Sequence, residues 1–245
     1  MRFTSERVLD DGVVEREIDI DGVAGILWTP PRALSEPTPL ILLGHPGGIQ
    51  RMYPRLLARA QQSAAHGFSS ATIDLPGAGD RPPIEGVDAA RADLQTALRD
   101  GRPVTADVID RLVVPLVDRA VPELQRTLDG LLALPEIAGP VGYSGGVIAI
   151  GVRLAATDPR VVAAGLFAGS YVPASTFDEA RRVTIPVYVL LQWDDHGNDR
   201  QMALDLFDAF GSEEKTLQAN MGGHTGVPSY AGEDAARFFT RHLRG

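Results

Sequence analysis

The sequence predicts an α/β fold, in which a mostly parallel sheet carries helices on both faces. Two observations predict it. Short, almost wholly apolar runs, such as residues 40–43 and 161–168, have the length and composition of strands that are buried on both faces. Segments with apolar residues at helical spacing lie between these runs, and this alternation is typical of parallel pairing. With 245 residues, of which 44% are hydrophobic, the chain is long enough to form one such domain over residues 1–245.

An antiparallel hairpin is predicted near the start of the chain. Residues 13–20 and 23–28 are half-apolar stretches that flank Asp21 and Gly22. An Asp-Gly pair between two such stretches is a strong signal of a tight hairpin turn. We therefore expect two strands here, ahead of the parallel part of the sheet.

A strand, a helix and a second strand follow the hairpin. The strands are predicted at residues 40–43 and 69–73, and the helix lies between them, with apolar residues at helical spacing over 53–60. Each strand ends in a loop that is rich in glycine and proline, residues 44–48 and residues 74–80. Since carboxyl ends of parallel strands share one rim of a sheet, both loops are expected on the same side.

Residues 81–116 predict a helical insertion. Ordinary connections in α/β proteins have loops of about 2 to 6 residues, and this section is far longer. It contains two helical patterns, around residues 88–98 and 108–113, with prolines at either end. One interpretation is a small cap that covers a pocket. The alternative is a pair of surface helices without a role at the site.

The second half of the chain continues the alternation. Five helices and four strands are predicted, with helices at 117–132, 147–154, 177–182, 199–210 and 235–243 and strands at 137–141, 161–168, 186–192 and 215–219.

Three of the strand ends carry the residues of a candidate nucleophilic site. Ser144 lies within residues 142–146, whose sequence Gly-Tyr-Ser-Gly-Gly matches the G-x-S-x-G elbow, where a nucleophile is held in a strained turn between a strand and a helix. The motif alone fits a glycine-rich turn equally well. Asp195 follows a later strand, and His224 follows the last one. The order Ser, Asp, His is that of the α/β-hydrolase triad and differs from the order in other serine hydrolases.

The chemistry explains why these residue types are needed. A serine hydroxyl is a weak nucleophile at neutral pH, so a base such as His224 must take its proton. A carboxylate on the other ring nitrogen fixes the tautomer and stabilises the imidazolium. Asp195 is the first candidate for this role and Asp194 is the alternative.

An oxyanion hole needs two N–H donors that face the developing negative charge. The amide of Gly145 is one candidate. The second is expected from the loop after the strand at residues 40–43, where Pro46 has no N–H, so Gly47 is the better candidate and Gly48 is the alternative.

Other polar residues near these loops have structural interpretations. His45 is expected to order the oxyanion loop through hydrogen bonds, and Asp199 to cap the helix that it precedes. Turn geometry explains Asp74 and Asp80 at least as well as catalysis does. Packing or surface roles are expected for four further residues: Tyr143, Trp193, His66 and His242. No two histidines have ligand spacing on one element, so we expect no metal and no cofactor.

The net charge and the amino-acid composition limit the classes of binding partner and the compartment that can be expected. A net charge of −9 argues against nucleic acid and against an anionic membrane surface, because both bind basic surfaces. The chain has no cysteine, which excludes disulfides and a cysteine nucleophile and agrees with a reducing compartment. Neither a signal peptide nor a membrane span is evident in the sequence. We therefore expect a soluble cytoplasmic protein with a small-molecule substrate, and a homodimer is left open.

Taken together, the motifs resemble the α/β-hydrolase superfamily from about residue 13 to the end. The resemblance implies an eight-stranded, mostly parallel sheet with one antiparallel strand near the start, and esterase-type chemistry without a cofactor. The motifs that carry it lie at residues 44–48, 74–79, 142–146, 193–195 and 222–224.

Within the superfamily the chain is similar to the dienelactone-hydrolase-like and small carboxylesterase branches, because the section between Ala168 and Pro186 is too short for a large lid. It departs from them in two respects. Dienelactone hydrolases use cysteine where this chain has Ser144, and the oxyanion loop reads His-Pro-Gly-Gly instead of the three-glycine lipase form.

The function expected from these residues is hydrolysis of carboxylic esters of small or medium organic acids by a serine hydrolase. Lactone or dienelactone hydrolysis, cleavage of a carbon–carbon bond and acyl transfer remain open with the same triad. A binding protein that keeps the fold without catalysis is the alternative from a different class.

Overall fold

Nine strands form one mixed sheet in the computed structural model, which describes residues 1–244. Along the sheet their order is β1-β2-β3-β5-β4-β6-β7-β8-β9, and β4 to β9 run parallel. The strands are β1 (Arg2–Val8), β2 (Val14–Ile20), β3 (Val23–Thr29), β4 (Thr38–Gly44), β5 (Ser69–Ile73), β6 (Ile137–Gly145), β7 (Val161–Phe167), β8 (Val187–Gln192) and β9 (Lys215–Asn220).

The helices cover both faces of this sheet, as the sequence predicts. Helices α1 and α7 pack on one face, where Ile41 and Leu43 point, and α3 to α6 pack on the other, where Leu40 and Leu42 point. The alternation along β4 explains why a continuous apolar run suits a strand that is covered on both sides. The helices are α1 (Ile49–Ala65), α2 (Val87–Arg99), α3 (Ala106–Leu131), α4 (Ile148–Thr157), α5 (Ala174–Ala180), α6 (Arg200–Ala209) and α7 (Tyr230–Leu243).

The predicted hairpin is confirmed. Strands β2 and β3 pair antiparallel in register, with Ile20 opposite Val23. Asp21 and Gly22 form the turn between them with φ values of 53° and 83°. Positive φ at both central residues matches the twist of the flanking strands, which is why Asp-Gly is favoured there.

The first strand is an addition to the predicted fold. Strand β1 contains few apolar residues, so it lacks the apolar alternation that indicates a strand. All seven of its residues are exposed. Its backbone pairs with β2 at the edge of the sheet. The sheet therefore has nine strands instead of eight, and β1 and β3 both run against the others, where one antiparallel strand was expected.

Residues 81–116 contain α2, as predicted, but their second helix does not end at Pro115. It continues as α3, a single helix of 26 residues that includes Pro115 and Pro122. Each proline removes one backbone hydrogen bond, which costs helix stability. A buried stripe at helical spacing continues through both prolines and packs into the core, and this burial outweighs the loss. The stripe consists of Ile109, Val113, Val117, Val121, Leu124, Leu128 and Leu131.

Candidate active site

The candidate residues lie at one rim because parallel strands deliver them there. Ser144 is the penultimate residue of β6, Asp195 lies three residues beyond β8, and His224 lies in the loop after β9. Strand β7 lies between β6 and β8, and β9 lies beside β8. The carboxyl ends of these four strands therefore bound the site.

Asp195 and His224 form a hydrogen-bonded pair. Asp195 Oδ2 lies 2.7 Å from His224 Nδ1. The aspartate is buried, whereas half of the histidine side chain is exposed, at 50%. The imidazole and the ring of Phe167 form a T-shaped pair, with ring centroids 5.3 Å apart. Asp194 is exposed, and only its amide takes part in the loop, by donating to Gly222 O. Of the two predicted acids, the structure therefore brings Asp195 to the histidine.

Two buried amides support the histidine loop. Gln192, the last residue of β8, donates from Nε2 to Gly223 O at 3.1 Å. Its Oε1 accepts a hydrogen bond from Asn220 Nδ2 at 3.2 Å. Both side chains are buried, so these bonds are strong. They attach Gly223, the residue before His224, to the end of β8.

The turn after β6 differs from the predicted elbow by one residue. The sequence motif places the strained backbone conformation at Ser144, but the positive φ values are at Gly145, 78°, and Gly146, 75°. Glycine adopts this conformation without steric cost, so the chain reverses there. The reversal is close-packed: a Cβ on Gly146 would lie 2.8 Å from the Cα of Gly44.

The hydroxyl of Ser144 is bonded to Arg59. Arg59 Nη2 lies 3.1 Å from Ser144 Oγ and 2.6 Å from Ser144 O, and Arg59 Nη1 lies 2.8 Å from Gly44 O. Within residues 1–244, Ser144 Oγ has no hydrogen bond with His224. The structure therefore joins the acid to the base and holds the serine hydroxyl against a different residue.

Arg59 was missed by the sequence analysis. It lies on α1 between Leu56 and Ala60, which are both fully buried against the sheet. An arginine on the buried side of an amphipathic helix is the signal that could have found it. Burial lowers the pKa of Arg59 to about 10; the phenol of Tyr143 raises the pKa, and the nearby charge of Arg55 lowers it further.

The loop after β4 is fixed by side chains that have structural roles, as expected. His45 Nε2 donates to Ile73 O at 2.9 Å, and burial lowers the pKa of the ring, which stays neutral. Asp74 Oδ1 accepts from Ile49 N at 2.6 Å, at the first residue of α1. These bonds tie the segment that contains Gly47 and Gly48 to the end of β5.

The structural interpretations of Asp199, Tyr143 and Trp193 agree with the structure. Asp199 caps α6 by accepting from Met202 N at 3.0 Å. Tyr143 is buried, and Trp193 packs under the guanidinium of Arg200, whose Cζ lies 4.4 Å from the ring centroid. Structural or surface roles were expected for His66 and His242. His66 is partly exposed, with Nε2 3.8 Å from the carboxylate of Glu233, and His242 is largely buried, with its ring centroid 4.8 Å from that of Phe238.

A cavity of about 490 Å³ lies between the insertion and the segment after β7. The segment after β7 borders both the cavity and His224. A Cβ on Gly169 would lie 3.0 Å from His224 Cε1, and Val172, three residues later, lines the cavity. The apolar part of its lining comes from Val104, Ala106, Ile109, Val172, Ala174, Phe177 and Met202.

Residues 1–244 contain neither a cluster of metal ligands nor a helix that could cross a membrane. No group of three or more histidine, aspartate or glutamate side chains there is arranged to hold a metal ion. None of the helices in that range combines the length and apolar character that a bilayer crossing requires.

The chain is similar along its whole length to several solved structures. A cold-adapted esterase from an Arctic intertidal metagenomic library is 27% identical, with a TM-score of 0.74 over 99% of this chain and 100% of that one. A dienelactone hydrolase from Anabaena variabilis is 19% identical, with a TM-score of 0.60 over 98% and 99% of the two chains. Acetyl xylan esterase 1 from Thermoanaerobacterium sp. is 13% identical, with a TM-score of 0.65 over 98% and 86%.

The last two similarities are evidence of the fold alone. No family model matches the sequence. No curated protein matches it either. The sheet order, the strand-end loops and the full-length structural matches agree with one another, and the chain is a member of the α/β-hydrolase superfamily.

Proposed function

We propose that the protein is a serine hydrolase that cleaves carboxylic esters of small or medium organic acids through an acyl-enzyme on Ser144. The observation that carries this proposal is the Asp195–His224 pair, with its 2.7 Å hydrogen bond, on the same rim as Ser144. The similarity to an esterase over the whole chain supports ester hydrolysis.

The first chemical step is acylation. His224 Nδ1 is bonded to Asp195, so Nε2 is the ring nitrogen that accepts the proton of the Ser144 hydroxyl. As the O–H bond breaks, Oγ forms a bond to the ester carbonyl carbon and the π electron pair moves onto the carbonyl oxygen. The amides of Gly47 and Gly145 are the proposed donors to this oxygen.

Collapse of the tetrahedral intermediate completes acylation. The carbonyl re-forms, the bond to the alkoxy oxygen breaks, and the leaving alcohol takes the proton from His224 Nε2. Water then attacks the acyl-enzyme, with His224 again taking a proton and returning it to Ser144 Oγ. The products are the carboxylic acid and the alcohol, and no cofactor is consumed.

The mechanism requires Ser144 Oγ and His224 Nε2 to come within hydrogen-bond distance when substrate binds. Catalytic hydrogen bonds often tighten only in the complex with substrate. His224 lies on a loop that contains Gly222, Gly223 and Gly226, and its ring is half exposed. We therefore assign the closing movement to this loop.

The insertion at residues 81–116 is proposed to act as a cap that forms one wall of the substrate pocket. The cavity beside Val172 has a mainly apolar lining, in part from the residues around the start of α3. Its volume, about 490 Å³, lies within the usual range of roughly 300 to 1,000 Å³ for ligand pockets. We propose that it holds the apolar part of the ester.

The proposed function is tested with purified protein and p-nitrophenyl acetate and butyrate. Ser144→Ala should abolish turnover of both esters. Ser170→Ala is the matched control, since Ser170 follows Gly169 beside His224 and its buried Oγ has no hydrogen-bond partner within residues 1–244. Unchanged turnover in Ser144→Ala would remove Ser144 from the mechanism, and loss only in Ser170→Ala would assign the nucleophile to Ser170.

Two observations favour a second candidate, a binding protein that keeps the fold without turnover. The positive φ after β6 falls on Gly145, which has no side chain, and Ser144 Oγ is bonded to Arg59 instead of His224. A fluorophosphonate probe separates the two candidates, because it modifies a serine only where that serine is activated. Absence of labelling, together with no hydrolysis of an ester and lactone panel, would favour the binding protein.

A further inference from the structure

Within residues 1–244, the cation beside Ser144 has no anionic partner. The guanidinium of Arg59 donates to two carbonyl oxygens and one hydroxyl, and all three acceptors are neutral. Tyr143 and Arg55 are the ionisable groups that act on it most strongly, and neither is a carboxylate. Arg59 is partly buried, and a charge that is removed from water without a counter-ion carries a free-energy cost; such groups are concentrated at functional sites.

Structural requirements explain two of the three hydrogen bonds. The bonds to Gly44 O and Ser144 O tie the ends of β4 and β6 together. The bond to Ser144 Oγ adds nothing to that connection. Because a guanidinium has only donors, the serine oxygen must accept in this bond. The hydroxyl proton is therefore left free for a base.

The turn after β6 is shaped to admit the guanidinium. A Cβ on Gly145 would lie 2.9 Å from Arg59 Nη2. Glycine at this position therefore serves two purposes, the positive φ and the close approach of the cation. Helix α1 and the turn meet at the oxygen that the proposed reaction uses.

We propose that Arg59 activates Ser144: its guanidinium donates to Oγ and stabilises the negative charge that this oxygen acquires as its proton passes to His224. This inference rests on the proposed function. The anion missing from the resting structure is thus formed during the reaction, and Arg59 is a catalytic residue because it contacts the reacting oxygen.

The experiment compares Arg59→Lys with Arg59→Gln. Lysine keeps the charge and loses the fork of the guanidinium, whereas glutamine keeps a donor and loses the charge. The readout is the rate at which a fluorophosphonate probe modifies Ser144, located by mass spectrometry, with circular dichroism melts to verify folding. We expect Arg59→Gln to react about 10- to 100-fold more slowly than the wild type, and Arg59→Lys to recover a large part of the rate.

Arg55→Gln is the matched control. Arg55 lies one turn earlier on α1, is exposed, and makes no hydrogen bond or ion pair within residues 1–244. Its charge lowers the pKa of Arg59, so its removal leaves the guanidinium protonated, and this variant should react at the wild-type rate. Wild-type labelling in Arg59→Gln, or equal rates in the Lys and Gln variants, would overturn the role of Arg59. Loss of folding in both Arg59 variants would assign the residue a purely structural role and would also overturn it.

These outcomes differ from a failure of the proposed function. If the wild type itself is not modified on Ser144, the serine-hydrolase proposal fails. If the wild type is modified and the Arg59 variants behave like it, only the inference about Arg59 fails.

Discussion

Asp195 Oδ2 lies 2.7 Å from His224 Nδ1, and this hydrogen bond joins the loop after β8 to the loop after β9. The acceptor is buried and the donor is half exposed, so the aspartate is fixed and the ring can reach a substrate. The bond also decides the tautomer of the imidazole, because the nitrogen that faces the carboxylate carries the proton.

Removing the charge of Asp195 should therefore reduce catalysis without changing the fold. Asp195→Asn is expected to lower kcat by about 10⁴-fold, because the amide favours the wrong tautomer and does not stabilise the imidazolium. Steady-state kinetics with p-nitrophenyl butyrate measures this. The control is Asp194→Asn, which changes the exposed neighbour and should keep activity; a large loss in that variant instead would assign the acid to Asp194.

The close approach at the turn after β6 predicts that Gly145→Ala is more destabilising than an ordinary glycine substitution. Gly86 has the same φ, 78°, and a Cβ there would meet no atom within 4 Å, so Gly86→Ala carries only the backbone strain, about 1 to 2 kcal/mol. Gly145→Ala adds the clash with Arg59 and should exceed it. Urea unfolding of both variants measures the difference, and equal losses would show that Arg59 moves aside freely.

Asp199 is expected to stabilise the protein through its cap on α6. Asp199→Ala should lower the free energy of unfolding by about 1 kcal/mol, because Met202 N loses its acceptor. Asp208 lies near the other end of α6 and is exposed, where a negative charge opposes the helix dipole. Asp208→Ala should therefore be neutral or slightly stabilising. Urea unfolding of both variants measures the difference in free energy of unfolding. A similar loss in both variants would contradict the capping role.

His45 predicts a pH dependence of stability. Burial lowers its pKa from the usual 6.5, so the unfolded chain binds the proton more readily than the folded protein. Stability from this residue is fully present above pH 6.5 and is lost as the pH falls towards the lower folded pKa. In His45→Gln, which can still donate to Ile73 O, the unfolding free energy should fall less between pH 7 and pH 5. Parallel curves for the two proteins would show that His45 does not contribute.

If the cavity beside Val172 holds the acyl group, residues that line it should control the length of acyl chain that the protein accepts. Ala174 lines it and is exposed at its rim, so Ala174→Trp should occupy part of the volume without disturbing the core. We expect kcat/KM for p-nitrophenyl butyrate to fall more than that for the acetate. Ser175→Trp is the control on the next residue, which does not line the cavity. An unchanged ratio of the two esters in Ala174→Trp would place the acyl group elsewhere.

The parts of the fold that depend on local pattern were predictable from the sequence. The hairpin at Asp21 and Gly22, the buried strand at residues 40–43 and the cap at Asp199 follow from short-range rules. Strand β1 was missed because it is held by pairing with β2 and not by apolar side chains. Pro115 was interpreted as the end of a helix because the burial that carries α3 through it is a tertiary effect.

The candidate site was also predictable only in part. The strand order predicts that Asp195 and His224 share a rim, and the structure places them in contact. The partner of the Ser144 hydroxyl was not predictable, because Arg59 reaches it from a helix 85 residues earlier in the chain. The conformation of the turn also depends on packing. Gly145 and Gly146 both have positive φ, and Gly146 lies so close to Gly44 that a Cβ would not fit between them.

Helix α3 links the cavity beside Val172 to the core of the protein. It is one rod of 26 residues, whose first turns line the cavity and whose last turns are buried beside the sheet. The packing of its last turns in the core restrains movement of its first turns. The wall that α3 supplies to the cavity is therefore part of the same helix that packs into the core.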